Sequence, residues 1–191
     1  MAIGLFIDAA YARKSYSHDS EAMDYTKLRS HIEQHLNDKI DVAYFFNADT
    51  DPPKAAKFHN FLAYPPPKGP GFRVKTYWLQ KKVLFWPKSL GGYPIVHPDN
   101  PELQYELTTQ KAVDVGLVFH MIRSHSKRRW DKLVLVAGDG DFHEPVQELV
   151  ESDNVDLFIV GSMNSISEEL RPYAKEIIEI DQEPLHSQLK L

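Results

Sequence analysis

Val134-Leu135-Val136-Ala137-Gly138-Asp139-Gly140-Asp141-Phe142 decides the fold. Its small and branched apolar residues form an unbroken run, which is how a strand covered on both faces reads, since alternation belongs to a half-exposed one. Gly138 and Gly140 then read as turn-makers, placed where the backbone must take angles that side chains resist. Pro145 suits the first turn of a following helix, with Val146, Leu149 and Val150 as its inner side. The two carboxylates, Asp139 and Asp141, therefore land on a strand-to-helix corner, and in an open α/β sheet that corner is where ligands bind. A plainer reading treats Asp-Gly as turn chemistry and Asp141 as a helix N-cap.

Working outward, strands and helices alternate. Ile3 to Ile7 is a short apolar strand ending in Asp8, and Tyr11 to Ala22 is a polar loop or irregular helix. Asp24 caps a helix to about Leu36, with Leu28, Ile32 and Leu36 at helical spacing. Val42 to Phe46 is a second buried strand. Pro52 and Pro53 start a helix that turns Phe58, Phe61 and Leu62 inward. A stiff connector, Tyr64 to Gly71, leads to a third strand, Phe72 to Leu79. Residues 81–98 read as a β-hairpin excursion, Val83 to Trp86 against Tyr93 to Val96, turned through Leu90-Gly91-Gly92. A long helix over about Leu107 to Ser124 precedes the Val134 strand. The strand Val155 to Val160, a helix near Ser165 to Lys175 and a last strand Ile177 to Ile180 complete the chain. Such alternation implies a parallel sheet with right-handed crossovers, so the fold class is α/β and residues 1–191 form a single domain.

Composition narrows the function classes. Hydrophobic residues make 42% and charged residues 26% of the 191, ordinary for a soluble globular protein. No apolar run reaches the roughly 18 residues that span a bilayer. The start Met1 to Asp8 has no basic n-region, so no signal peptide is expected. The absence of cysteine excludes disulfides and thiolate zinc sites and fits a cytoplasmic location. The nine histidines show no zinc-protease spacing. The net charge of −5 argues against a bulk nucleic-acid coat but hides an asymmetry. From Pro52 to Pro98 there is no acid, while Lys54, Lys57, Lys68, Arg73, Lys75, Lys81, Lys82 and Lys88 are all basic. Phe72, Tyr77, Trp78, Phe85, Trp86 and Tyr93 are interleaved with them. Stacking combined with phosphate contact holds single strands without sequence choice, so this stretch is the expected substrate-guiding surface, against an alternative of basic residues over ordinary packing.

Three carboxylate positions carry the chemistry. Asp8 ends the first strand, and Asp139 with Asp141 follows the fourth. If the strand order reverses beside the first strand, these ends are neighbours at the switch point. The third position is Asp114, in Lys111-Ala112-Val113-Asp114-Val115-Gly116-Leu117-Val118-Phe119, a helix apolar nearly all round and so expected to be buried. Asp114 shares a face with Leu117, Val118 and Met121, where an ionised carboxylate is costly unless paired or bound to a metal. An ion pair with Lys111 is the competing explanation. A cluster of aspartates without histidine or cysteine is a hard-oxygen donor set, suited to Mg²⁺ or Mn²⁺ and to phosphodiester hydrolysis. A haloacid-dehalogenase-type phosphatase is the enzyme rival. That chemistry wants a second aspartate two residues after the nucleophile, and here Asp8 is followed by Ala10.

The chain resembles the NYN domains of the PIN-like nuclease superfamily, especially the LabA-like branch. Phe6-Ile7-Asp8 resembles the family's opening strand and acid, Lys111-Ala112-Val113-Asp114 its "KGVD" helix, and Gly138-Asp139-Gly140-Asp141-Phe142 its "GDSDF" turn. The run from Gly161 to Ala174 is similar to its closing segment. The resemblance implies a PIN-like three-layer sandwich with a mainly parallel central sheet. It also implies a metal-dependent ribonuclease with Asp8, Asp114, Asp139 and Asp141 as catalytic and metal-binding acids. Single-stranded RNA is the expected partner and no membrane is. Tyr11, Lys111, Lys81, Lys82, Lys88 and Ser162 complete the candidate site as substrate-binding residues. Ser165 and Glu168 have capping-box spacing, which reads first as plain capping, with a phosphate held at the capped helix start as the second reading. Two departures stand out: Tyr11 replaces the family's usual asparagine, and His120 a frequent aspartate. Six residues along a helix from Asp114, His120 is expected on another face. The non-enzyme alternative is a degenerate member that binds RNA or a regulatory partner without cutting.

Overall fold

The computed structural model describes residues 2–16, 22–49, 52–109 and 112–191. Its centre is a six-stranded, all-parallel sheet of β1 (Ala2–Asp8), β2 (Lys39–Asp49), β3 (Arg73–Trp78), β8 (Lys132–Val136), β9 (Asp156–Gly161) and β10 (Ala174–Glu179). The order across the sheet is β10-β9-β8-β1-β2-β3. β1 therefore pairs on one side with β2 and on the other with β8, Leu5 lying between Ala43 and Val134. The chain winds outward in both directions from that pair, which makes the carboxyl ends of β1 and β8 the topological switch point expected from the sequence.

Side-chain alternation along each strand sorts the core into two layers. Ile3, Leu5, Ile7, Ala43, Phe45, Val134, Val136 and Val160 point to one face. That face is covered by α1 (Ala9–Tyr16), α2 (Tyr25–His35), α3 (Pro52–Ala63) and α6 (Leu185–Leu189), through Ala12, Tyr16, Leu28, Ile32, Leu62 and Leu189. Phe6, Val42, Tyr44, Phe46, Leu133, Leu135 and Ile159 point to the other. There α4 (Val113–Arg128) packs through Val113, Leu117 and Met121, and the turn after β8, leading into α5 (His143–Gln147), packs through Phe142 and Val146. The three-layer sandwich is thus a helix–sheet–helix stack. Asp24 caps α2 as its sequence position implies, accepting from the Thr26 and Lys27 amides at 2.8 and 3.2 Å.

The excursion is larger than expected. Trp86 N–H donates to Tyr93 O at 2.8 Å and Ile95 N–H to Leu84 O at 2.8 Å, so the inner hairpin forms around Lys88–Leu90 and the left-handed Gly91. Below it, β4 (Gln80–Val83) pairs antiparallel with β7 (Glu106–Thr109), and a second hairpin joins β5 (Val96–His97) to β6 (Asn100–Gln104). The segment from Leu107, expected to open the long helix, is therefore a strand, and α4 starts six residues later. α4 is also not buried all round: Val115 is 73% exposed and Phe119 52%. Phe58 and Phe61, expected inside, are 42% and 38% exposed, and only Leu62 of that trio is buried. The helix expected near Ser165 to Lys175 is replaced by two short 3-10 turns, Met163–Ser165 and Arg171–Tyr173. Arg171 ties them together, donating to Met163 O at 3.0 Å and Ile166 O at 2.9 Å.

Candidate active site at the carboxyl end of the sheet

Asp8 is the last residue of β1. It follows Phe6 in the alternation and so belongs to the face that α4 covers. Its Oδ1 accepts the Ala10 amide at 2.8 Å and the Tyr11 amide at 3.3 Å, capping α1. Among the described residues no donor reaches the other oxygen. Burial pushes this carboxyl above its ordinary value of 3.8, against the two amides and the positive charge of Arg13, and the charge of Asp139 adds to the rise.

Asp139 and Asp141 follow β8. Asp139 Oδ1 accepts the Asp141 amide at 3.1 Å, so the capping role that the plainer reading gave to Asp141 belongs to Asp139. Both side chains are exposed. The glycines around them serve a different purpose from the one expected. Neither Gly138 nor Gly140 has positive φ. A Cβ on Gly138 would lie 2.5 Å from Ser165 O and 2.5 Å from the Tyr11 ring, and one on Gly140 would lie 2.7 Å from Glu169 Oε2. They are small because the segment after β9 closes over them, with Ser167 N–H donating to Gly138 O at 2.8 Å.

Asp114 stands in the first turn of α4, half-buried rather than deep in the core. Burial raises its pKa, and the charges of Asp8, Asp139 and Asp141 each raise it further. Four carboxylates from three separate stretches thus share one electrostatic neighbourhood. Lys111, expected both as a substrate contact and as the alternative ion-pair partner of Asp114, lies outside the described residues. The donor set, all oxygen with no sulfur or imidazole, fits a hard divalent cation. Among the described residues, however, no three of these side chains already form a cage for one.

The remaining expected site residues are distributed around this centre. Tyr11 is wedged between strand ends: its hydroxyl shares a 2.8 Å hydrogen bond with Ser165 Oγ, and its ring occupies the space that side chains at Gly138 and Gly161 would need. Ser162 is buried, and it is followed by the three-residue 3-10 turn Met163–Ser165 rather than by the longer helix expected there. Lys81 is on the excursion, 3.1 Å from Glu106 on the paired strand, and Lys82 and Lys88 are exposed on the same arm. The leading charges acting on Asp8 and Asp114 are Arg13 and the other aspartates rather than an arm lysine. His120 is stacked on Tyr44 at 4.8 Å. Burial, then Lys75, Arg123 and Arg73, lower its pKa.

Sequence reasoning missed Arg13 and Asn47. Arg13 acts on Asp8 and its guanidinium reaches Asn47 Oδ1 at 3.4 Å, while Asn47, buried near the end of β2, is 3.3 Å from His59 Nε2. The available signal was Arg13 itself, a cation in the helix that follows Asp8. Beside α1 a groove of about 710 Å³ is lined by Tyr25, Phe58 and Phe61 together with Arg13 and Lys14.

The fold is shared with a protein of unknown function from Vibrio parahaemolyticus, whose crystal structure superposes with a TM-score of 0.65 at 19% identity, over 100% of this chain and 96% of that one. No curated protein matches the chain. The family model of the NYN domain matches residues 2–181. With nearly the whole chain matched, this protein belongs to the NYN domain family of the PIN-like nuclease superfamily.

Proposed function

We propose that the chain is a ribonuclease of the LabA-like branch, a single domain that hydrolyses phosphodiester bonds of single-stranded RNA at the carboxyl ends of β1 and β8. The observation that carries the proposal is the mutual influence of Asp8, Asp114, Asp139 and Asp141, since repulsion among carboxylates at a ligand-binding corner is what a bound cation relieves. Asp8, Asp114, Asp139 and Asp141 would hold Mg²⁺ or Mn²⁺, with Asp139 and Asp141, the exposed pair, turning inward to do so. Such an ion supplies a lowered water pKa and neutralises charge developing on the phosphate. Asp8 stays fixed by the two amides that donate to its Oδ1, and its second oxygen would be left to bind the ion. Arg13, beside Asp8, meets a phosphate oxygen, and the groove with Phe58 and Phe61 takes an unstacked base, the combination by which single strands are held. Tyr11 braces the acidic turn from beneath and narrows access to it. Lys81, Lys82 and Lys88 make outlying phosphate contacts, Lys81 by leaving Glu106.

Cleavage of an unstructured RNA with Mn²⁺ or Mg²⁺ tests the reading. Asp8→Asn and Asp141→Asn should each lower the rate by orders of magnitude with an unchanged circular dichroism spectrum. Full activity in either variant, or activity surviving EDTA, overturns it. RNA binding that persists in EDTA without cleavage at any metal level marks a binding module instead.

A further inference from the structure

Among the described residues, the excursion between β3 and α4 contributes none to either core cluster, yet it is rich in large apolar side chains. Antiparallel register places opposite residues on one face. Lys82 opposes Leu107, and the backbone bonds of Leu84 with Tyr105 and of Trp86 with Tyr93 extend the same row. Leu84, Trp86, Tyr93, Tyr105 and Leu107 therefore share a face, and all are exposed, Trp86 by 49% and Tyr93 by 70%. An unsupported two-stranded ribbon is marginal in water, and an apolar patch of this kind on a monomer marks an interaction site.

The charge of the arm selects among occupants. Between Gln80 and Thr109, Lys81, Lys82 and Lys88 are balanced by Asp99, Glu102 and Glu106, so the arm as a whole is neutral. The arm lysines can make outlying phosphate contacts. Holding a single strand along the aromatic row needs cations running beside that row, however, and here the strand that pairs with Lys81 brings Glu106 beside it. A surface carrying both signs in equal number is instead complementary to itself, the requirement of a two-fold interface, where each patch meets its own copy. The area agrees. Five side chains about half exposed offer on the order of 400–500 Å² of mostly apolar surface. That is close to the non-polar part of the roughly 800 Å² each partner gives to a standard interface.

We infer that the β4–β7 arm is a homodimerisation element, its aromatic face packing against the same face of a second copy. The dimer sets the acidic ends of two sheets in one assembly with the lysines of both arms at the rim of the contact.

Light scattering coupled to size exclusion, from low to high micromolar protein, tests this. The wild type should show twice the chain's 22.0 kDa, and Trp86→Ser combined with Tyr93→Ser should return the mass to that of one chain. Circular dichroism of the variant should be unchanged, because neither residue belongs to a core cluster. Leu107→Ser, on the opposite strand of the same face, should weaken association independently if the double variant misfolds. A wild type that stays monomeric throughout, or variants that remain dimeric, overturns the inference. A monomeric wild type whose RNA binding falls in the double variant makes the arm a nucleic-acid platform instead.

Discussion

Ala112 is one of four described non-glycine residues with positive φ. It precedes α4 with φ of 68° and ψ of 2°, the left-handed region, and its carbonyl accepts the first helical bond, from the Gly116 amide at 2.9 Å. The left-handed conformation costs an L-residue roughly 1–2 kcal/mol, because Cβ crowds the following carbonyl oxygen. Glycine escapes that cost but gains freedom in the unfolded chain, which takes back about 0.4–1 kcal/mol. The Ala112 methyl is exposed, so its removal loses no packing. Ala112→Gly should therefore stabilise the protein by about 0.5–1 kcal/mol, a rise in Tm of roughly 1–4 °C for a chain of this size. The family motif that this stretch resembles has glycine at the same place. A thermal melt in EDTA at neutral pH is the assay. An unchanged or lower Tm would show that the left-handed turn into α4, and with it the placement of Asp114 two residues on, is wrong.

Three other outcomes are expected. Gly138→Ala forces a methyl against Ser165 O and the Tyr11 ring, an overpacking cost of about 1–3 kcal/mol; its melt should fall accordingly and RNA cleavage with it, whereas a wild-type melt would mean the segment after β9 yields freely. Tyr11→Phe removes the hydroxyl bonded to Ser165 and should cost about 1 kcal/mol while leaving cleavage within a few-fold of wild type; a large loss of activity at full stability would give the hydroxyl a role in the chemistry. Because the folded pKa of Asp114 is raised above 3.8, its contribution to stability is full below that value and is lost as pH climbs through the folded one. The advantage of Asp114→Asn in urea midpoints should accordingly grow from pH 4 toward neutrality, and an advantage that is flat or largest in acid contradicts the coupling.

Much of the sheet is legible in the sequence because parallel strands buried on both faces announce themselves as apolar runs, and Asp8 and the Asp139–Asp141 turn fall directly after two of them. The start of α4 is not, because Leu107 sits in helical phase with the apolar residues of that helix. The pairing that makes Glu106–Thr109 a strand comes from Gln80–Val83, a partner no local pattern reveals. The same pairing sets an acid beside Lys81 and so changes the meaning of the acid-free stretch. Gly138 and Gly140 stand out in the sequence as turn-makers, but what constrains them is the backbone of Ser165, the Tyr11 ring and Glu169, brought there as the chain leaves β9. The helix expected after Ser165 fails because Pro172 and the carbonyl contacts of Arg171 favour short turns there. Arg13 carries no motif of its own, and its importance comes only from standing beside Asp8 in space.

If carboxylates from β1, α4 and the β8 turn act as one cation site, melting wild type and Asp114→Asn with EDTA and with Mn²⁺ will reveal it. Removing one of the mutually repelling charges should raise the Tm in EDTA, and losing one ligand should shrink the further rise on adding Mn²⁺. If Asp114→Asn instead lowers the Tm in EDTA while Mn²⁺ still adds its full increment, Asp114 is a structural residue and the cation site lies elsewhere.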